Sequence, residues 1–231
     1  MIEAVLFDKD GTLFDFQASW GSWARRLLCE LAQGDQILLH RLAKSLRFDL
    51  KSAEFHPDSF VIAGTPDEVA KALADEMPGE TVDGLLNRIN IEASEVQMIE
   101  AAPLVLLLLD LQARGLKLGV VTNDAEAPAR AHLREAGILH AFDVVFGFDS
   151  GHGEKPDPDP LLAAARILGV DPRKALMVGD STHDLVAGRA AGMSTLGVLT
   201  GPASRADLAP FADDVLPHVG HLPGWLDQRS H

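Results

Sequence analysis

Ala4-Val5-Leu6-Phe7 runs without a break into Asp8-Lys9-Asp10-Gly11-Thr12-Leu13-Phe14. A short continuous apolar run that stops at a turn signal predicts a strand buried on both faces, as in a parallel sheet covered by helices. In open α/β sheets ligands bind beyond the carboxyl ends of the strands. This strand therefore delivers Asp8 and Asp10 to the edge where chemistry is done, and Gly11 permits the sharp exit. Close carboxylates repel unless a cation, a shared proton or a raised pKa relieves them, so the pair implies a metal or an acid–base role. Taken alone, an Asp-x-Asp after a strand is more simply a solvated acidic turn. The rest of the chain decides between the two.

Downstream, strands and helices alternate. Residues 104–114 read as a helix that starts in a buried apolar run and closes at Gly115, and 117–121 as a strand ending at Thr122-Asn123-Asp124. A helix over 127–136 stops at Gly137, a strand covers 144–146, and a helix over 159–168 ends at Gly169. A strand over 175–178 runs into Gly179-Asp180, a helix over 184–191 ends at Gly192, and a strand covers 194–199. Val215 begins a short edge strand before a closing helix around 222–226. Strict alternation predicts an α/β fold with a doubly wound parallel sheet and right-handed crossovers.

The stretch between the first strand and this series has a different period. Trp20, Trp23, Ala24, Leu27, Leu28 and Leu31 recur at helical spacing, as do Ile37, Leu38, Leu42 and Leu46, then Val69, Leu73 and Met77, then Val82, Leu85, Leu86 and Ile89. Thr65-Pro66-Asp67-Glu68 is a helix start, with a capping hydroxyl, a proline in the first turn and acids at the positive end of the dipole. Residues 48–64 form an irregular connection. The expected organisation is an α/β core of residues 1–14 and 91–231, with an all-helical module, 15–90, inserted after the first strand.

At 231 residues the chain can bury a sizeable core. A formal charge of −14 argues against nucleic acid or an anionic membrane as partner, since both need a basic face. No apolar run approaches the roughly 18 residues of a membrane span. The first strand starts too early to leave room for a signal peptide, so the cytoplasm is the expected location. Cys29, the only cysteine, excludes an intrachain disulfide and reads as a packed helix residue. An anionic substrate would require local positive charge at the site itself.

Strand ends on one edge of the expected sheet carry Asp8 and Asp10, Thr122 and Asn123, and Asp180 with Asp184; Lys155 lies on a loop at the same edge. In this order and spacing the chain resembles the haloacid dehalogenase superfamily, in particular its helical-cap branch that contains phosphoglycolate phosphatases. Asp8-Lys9-Asp10-Gly11-Thr12-Leu13 is similar to the first motif of that family, Val120-Val121-Thr122-Asn123 to the second, Lys155-Pro156-Asp157-Pro158 to the third, and Val178-Gly179-Asp180-Ser181-Thr182-His183-Asp184 to the fourth. The resemblance implies a Rossmann-like core with a helical-bundle cap. It makes Asp8 the nucleophile that takes a phosphoryl group and Asp10 the general acid and base. Mg²⁺ is then held by Asp8, Asp180 and the carbonyl of Asp10, with Asp184 fixing that shell or Lys155 from behind. Thr122, the amide of Asn123 and Lys155 are implied to bind the phosphoryl oxygens. Asp10 favours phosphate esters over halides, because halide needs no acid to leave. Lys9 stands where the family usually has an apolar residue, and strand alternation points it away from the site.

The implied function is hydrolysis of a small phosphorylated metabolite, such as 2-phosphoglycolate. The alternatives are a sugar-phosphate mutase of the β-phosphoglucomutase kind and a non-catalytic regulatory protein on the same fold. Phe16 at the hinge and Arg47 in the connection are the candidates for substrate selection, Arg47 through bidentate contact with a carboxylate or second phosphate. Trp20 and Trp23 read as cap core, and His152 and His183 as loop bystanders. Oligomeric state has no signal in the sequence.

Overall fold

The computed structural model describes residues 1–229. Strand β1 (Ala4–Phe7) is fully buried and leads at once into helices α1 (Phe16–Ala32) and α2 (Gln36–Ser45). A short antiparallel ribbon follows, β2 (Phe48–Asp49) with β3 (Glu54–Phe55), then a 3₁₀ turn at Phe60–Ile62 and helices α3 (Pro66–Glu76) and α4 (Val82–Ala93). The ribbon lies within the stretch read as irregular; strands of two residues are too short to carry a period. Helix α4 continues past residue 90, where the sequence reading placed the return to the core.

The remaining elements alternate: α5 (Leu104–Ala113), β4 (Lys117–Val121), α6 (Glu126–Glu135), β5 (Val144–Phe146), α7 (Asp159–Leu168), β6 (Ala175–Gly179), α8 (Thr182–Ala190), β7 (Ser194–Val198), α9 (Arg205–Leu208), β8 (Asp214–Leu216) and α10 (Leu222–Arg229). The six core strands run in the order β5-β4-β1-β6-β7-β8, every pair parallel. The chain builds outward from β1 on one side through β4 and β5, then returns to build the other side. The carboxyl end of β1 therefore opens at the point where strand order reverses, the crevice of a doubly wound sheet.

Both faces of β1 are covered. Val5 and Phe7 pack with Leu108 and Leu111 of α5 and Trp225 of α10, while Ala4 and Leu6 pack with Leu161 and Ala164 of α7 and Ala187 of α8. The inserted helices close over a core of their own, centred on Leu27, Leu28, Leu42, Leu73 and Ile89. Helix α3 begins with a full capping box: the Glu68 side chain accepts from the Thr65 amide and the Thr65 hydroxyl accepts from the Glu68 amide.

Two packing expectations are corrected. Only half of the apolar start of α5 is buried: Leu104, Leu107 and Leu108 face the core, while Val105, Leu106 and Leu109 are exposed. An all-apolar run hides which side of the helix faces solvent. Cys29 lies on the outer side of α1, exposed rather than packed, because it falls off the Leu27–Leu28–Leu31 stripe. No helix among the described residues is long and apolar enough to cross a membrane.

Candidate active site

Register sets the site. Phe7 lies opposite Val120 on one side and Val178 on the other, so residues just past these strands come level. The Asp8 amide donates to the Val178 carbonyl at 2.9 Å, and the Thr122 amide to the Phe146 carbonyl at 3.0 Å. The ladder thus fixes Asp8 and Thr122 where their side chains emerge. Asp180 follows β6 directly, and Asp184 sits in the first turn of α8, whose N-cap Ser181 forms a reciprocal capping pair with it. Lys155 arrives on the long β5–α7 connection. Its backbone is clasped by the Asn123 side chain: the Lys155 amide donates to Asn123 Oδ1 at 2.9 Å, and Asn123 Nδ2 donates to the Lys155 carbonyl at 2.8 Å. The same Nδ2 donates to the carbonyl of Ala63 in the inserted module at 2.9 Å, so Asn123 also ties the module to the core.

Lys155 Nζ lies 2.6 Å from Asp8 Oδ1 and 2.6 Å from Asp184 Oδ1, all three side chains being buried. Burial pushes the Lys155 pKa down, but the carboxylates of Asp184 and Asp8 outweigh it and hold the ammonium charged above its ordinary range. Asp184 has both oxygens engaged, Oδ2 accepting from the Ser181 amide at 3.0 Å and its hydroxyl at 2.7 Å. Asp8 is pushed up to about 7, first by burial, with Asp184 and Asp10 adding to the rise and Lys155 opposing it.

The donor set fits a hard divalent cation. Asp8, Asp180 and Asp184 each bring a carboxylate oxygen within 4.8 Å of the others. Thr12 donates to Asp180 Oδ1 at 3.2 Å, but Asp180 Oδ2 is buried with no hydrogen-bond partner. Gly11 and Gly201 leave room around that oxygen, which a Cβ at either position would strike. Burial, then the charges of Asp8 and Asp184, raise the Asp180 pKa well above the ordinary range. An unpaired buried oxygen among crowded carboxylates is what a cation with oxygen ligands would relieve.

A pH dependence follows. Between 3.8 and about 7 the folded protein holds a proton on Asp8 that the unfolded chain has released. The metal-free protein should therefore lose stability as pH rises through that window. Cation binding needs the ionised carboxylates, so the gain in Tm with Mg²⁺ should be large at pH 8 and vanish by pH 5. Thermal melts with Mg²⁺ and with chelator at the two pH values check this.

Beside this cluster lies a second one that the sequence reading missed. Lys9 does not point away from the site. It is fully buried, with Nζ 2.7 Å from Asp10 Oδ1, 2.6 Å from Asp10 Oδ2 and 3.2 Å from Asp124 Oδ2. The alternation argument fails because the strand stops at Phe7: the Lys9 carbonyl accepts from the amides of Leu13 and Phe14 at 3.0 and 3.1 Å, so Lys9 belongs to the turn. His132 Nδ1 is 3.2 Å from Lys9 Nζ, and its Nε2 is 2.7 Å from the Ala93 carbonyl. A carbonyl only accepts, so Nε2 carries the proton and Nδ1 accepts from Lys9. Burial, then the Lys9 charge, push His132 down to about 4 and keep it neutral. Trp20 of α1 donates its indole N–H to Asp10 Oδ1 at 2.7 Å. Asp10 is thus held from the core by Lys9 and from the inserted module by Trp20. A buried tryptophan that needs a partner for its N–H is the signal that could have placed Trp20 here.

A cavity of about 100 Å³ joins Asp8, Asp10, Thr122, Asn123, Lys155 and Asp180 to the interior of the helical module. Phe16 lines it, stacked edge-on against Phe55 with ring centroids 5.6 Å apart. Arg47 is not brought to the cavity: it is exposed, has a φ of +51°, and pairs with Asp58. His183 and Trp23 line the cavity, and each keeps a buried nitrogen with no hydrogen-bond partner, Nδ1 and Nε1 respectively.

Known proteins show the same arrangement of sequence and fold. The chain is 34% identical to the phosphoglycolate phosphatase of Nitrosospira multiformis across 99% of this chain and 97% of that one. It is 33% identical to the pyrophosphatase PpaX of Bacillus pumilus across 85% of this chain and 83% of that one. The crystal structure of a HAD family hydrolase from Deinococcus radiodurans with bound phosphate and sodium superposes with a TM-score of 0.67 at 27% identity, covering 99% of this chain and 96% of the other. The family model for haloacid dehalogenase-like hydrolases matches residues 2–192, and with these relatives it shows that the chain belongs to that family.

Proposed function

We propose that this phosphatase of the haloacid dehalogenase family hydrolyses a small phosphate monoester, with Mg²⁺, through an aspartyl-phosphate on Asp8. A carboxylate oxygen of Asp8 attacks phosphorus, the ester P–O bond breaks, and Asp10 gives its proton to the leaving alcohol oxygen. Asp10 then takes a proton from water as it attacks phosphorus. The bond to Asp8 breaks, and inorganic phosphate leaves with Asp8 again a carboxylate and Asp10 again protonated. Thr122, the backbone amide of Asn123 and Lys155 bind the phosphoryl oxygens, while Asp184 holds Lys155 in place. Lys9 and Trp20 hold the Asp10 carboxyl toward the leaving group. Asp8, Asp180 and the carbonyl of Asp10 would hold Mg²⁺, which, when bound, offsets the charge on the transferring oxygens.

The observation that carries this reading is the placement of Lys155, 2.6 Å from both Asp8 and Asp184, beside the unpaired oxygen of Asp180. It supplies fixed positive charge, a nucleophile and an incomplete oxygen shell in one crevice of an otherwise acidic chain. Names of relatives make 2-phosphoglycolate the first ester to assay. A mutase would need several groups on the inserted module to grip sugar hydroxyls, and among that module's described lining residues only Trp20, Trp23 and Thr65 carry a polar side-chain atom, so hydrolysis is favoured. Release of inorganic phosphate from p-nitrophenyl phosphate should occur with Mg²⁺ and fall to background with chelator. Turnover indifferent to chelator would remove the metal from the proposal.

A further inference from the structure

The cavity has two unlike ends. At the core end stand the carboxylates of Asp8, Asp10, Asp124, Asp180 and Asp184, with Lys155 the only lysine or arginine in the lining among the described residues. That lysine is already committed between Asp8 and Asp184. The far end, where the leaving group of a monoester must sit, is walled by Phe16, Trp20, Leu28, Phe55, Ile62 and Val69. Arg47 pairs with Asp58 outside it. The 3₁₀ turn and the start of α3 also withhold their backbone. The amides of Val61, Ile62, Ala63, Gly64 and Thr65 donate to Ser59 Oγ, Ser59 O, Phe60 O, Phe60 O and Glu68 Oε2, respectively. At that end a second anionic group on the substrate would meet no lysine or arginine among the described lining residues and none of these five amides, the unpartnered lining nitrogens being the neutral Trp23 Nε1 and His183 Nδ1. Burying a charge unpaired is heavily penalised, whereas apolar groups gain from leaving water.

On the proposed phosphatase reading, on which it rests, we infer that the substrate is a phosphate monoester of an uncharged, apolar alcohol or phenol. The carboxylated ester suggested by the names of relatives does not fit this chamber. The buried indole N–H of Trp23 has no partner. It offers one donor, so a single ether or carbonyl oxygen on that alcohol is accommodated.

The test compares butyl phosphate with its chain-matched carboxylate, 4-(phosphonooxy)butanoate, and with 2-phosphoglycolate. Acetyl phosphate, which asks little of the far chamber, serves as the control for phosphoryl transfer itself. The expected result is a kcat/KM for butyl phosphate about 100-fold above that of either carboxylated ester. Ile62→Lys, which puts a cation on the far wall, should narrow that ratio by about 10-fold through faster use of the carboxylated ester. Competitive inhibition by butylphosphonate against 4-phosphonobutanoate reads the same preference in the unmodified protein, should the variant fail to fold. Equal use of the matched pair, or a preference for the carboxylate, alongside turnover of acetyl phosphate overturns the inference and leaves the phosphatase reading standing. No phosphate release from any of the three esters or from acetyl phosphate overturns both.

Discussion

Asp8→Asn should abolish turnover, lowering phosphate release by at least about 10⁴-fold, because an amide oxygen cannot displace an alkoxide and form the covalent intermediate. The fold should survive. Asn is nearly isosteric and its carbonyl oxygen can still accept from Lys155, which keeps Asp184 as its ionic partner 2.6 Å away. Removing one charge from a cluster in which burial raises both Asp8 and Asp180, and in which Asp8 adds to the rise at Asp180, should also relieve repulsion. Without Mg²⁺ the variant should therefore melt at or above the wild-type temperature, and its gain in Tm with Mg²⁺ should shrink. A well-folded variant that keeps substantial activity would remove Asp8 from the role of nucleophile.

Lys9→Met should separate substrates by leaving group. Lys9 contacts both oxygens of Asp10, at 2.7 and 2.6 Å, and ties Asp10 to Asp124 and His132. Without it two carboxylates share a buried space unpaired, and the loss of stability should be about 3–5 kcal/mol. Among the described residues, Asp10 then keeps the Trp20 N–H from the inserted module as its side-chain donor and loses its fixed orientation. A misplaced general acid matters where the leaving oxygen needs a proton. The kcat/KM for an alkyl phosphate should fall by about 10²-fold or more, while that for p-nitrophenyl phosphate should fall by less than about 10-fold. The ratio kcat/KM is the one to read, since it reports the steps up to departure of the alcohol, before Asp10 acts as base. Equal losses for the two substrates would make Lys9 a purely structural residue.

Period and punctuation made the core legible. The buried run before Asp8 and the glycine stops at Gly115, Gly137, Gly169 and Gly192 gave the elements that the sheet confirms, because the apolar residues of the central strands face one of two continuous layers. Asp8, Asp10, Thr122, Asn123, Lys155, Asp180 and Asp184 do converge on one crevice, since parallel register brings strand ends level. What stayed hidden depends on contacts far apart in sequence. Nothing local marks His132 on α6 as the acceptor for a lysine 123 positions away. Lys9 was misplaced by extending strand alternation past the last strand residue, and Arg47 by reading a charge type without the backbone that turns it outward. Side-chain amide chemistry at Asn123 was likewise invisible: its role in clasping the Lys155 backbone exists only once the β5–α7 loop has folded over β4.

The central claim is that a phosphoryl group passes through Asp8, and the most direct measurement is the covalent state of that residue during turnover. Acid quenching of the enzyme in steady state with Mg²⁺ and a turned-over ester, followed by peptide mass analysis, should find one added phosphoryl group on the peptide carrying Asp8 and none on the peptides carrying Asp180 or Asp184. Rapid turnover in a quenched sample with Asp8 unmodified, or a phosphoryl group on a different side chain, would contradict the account.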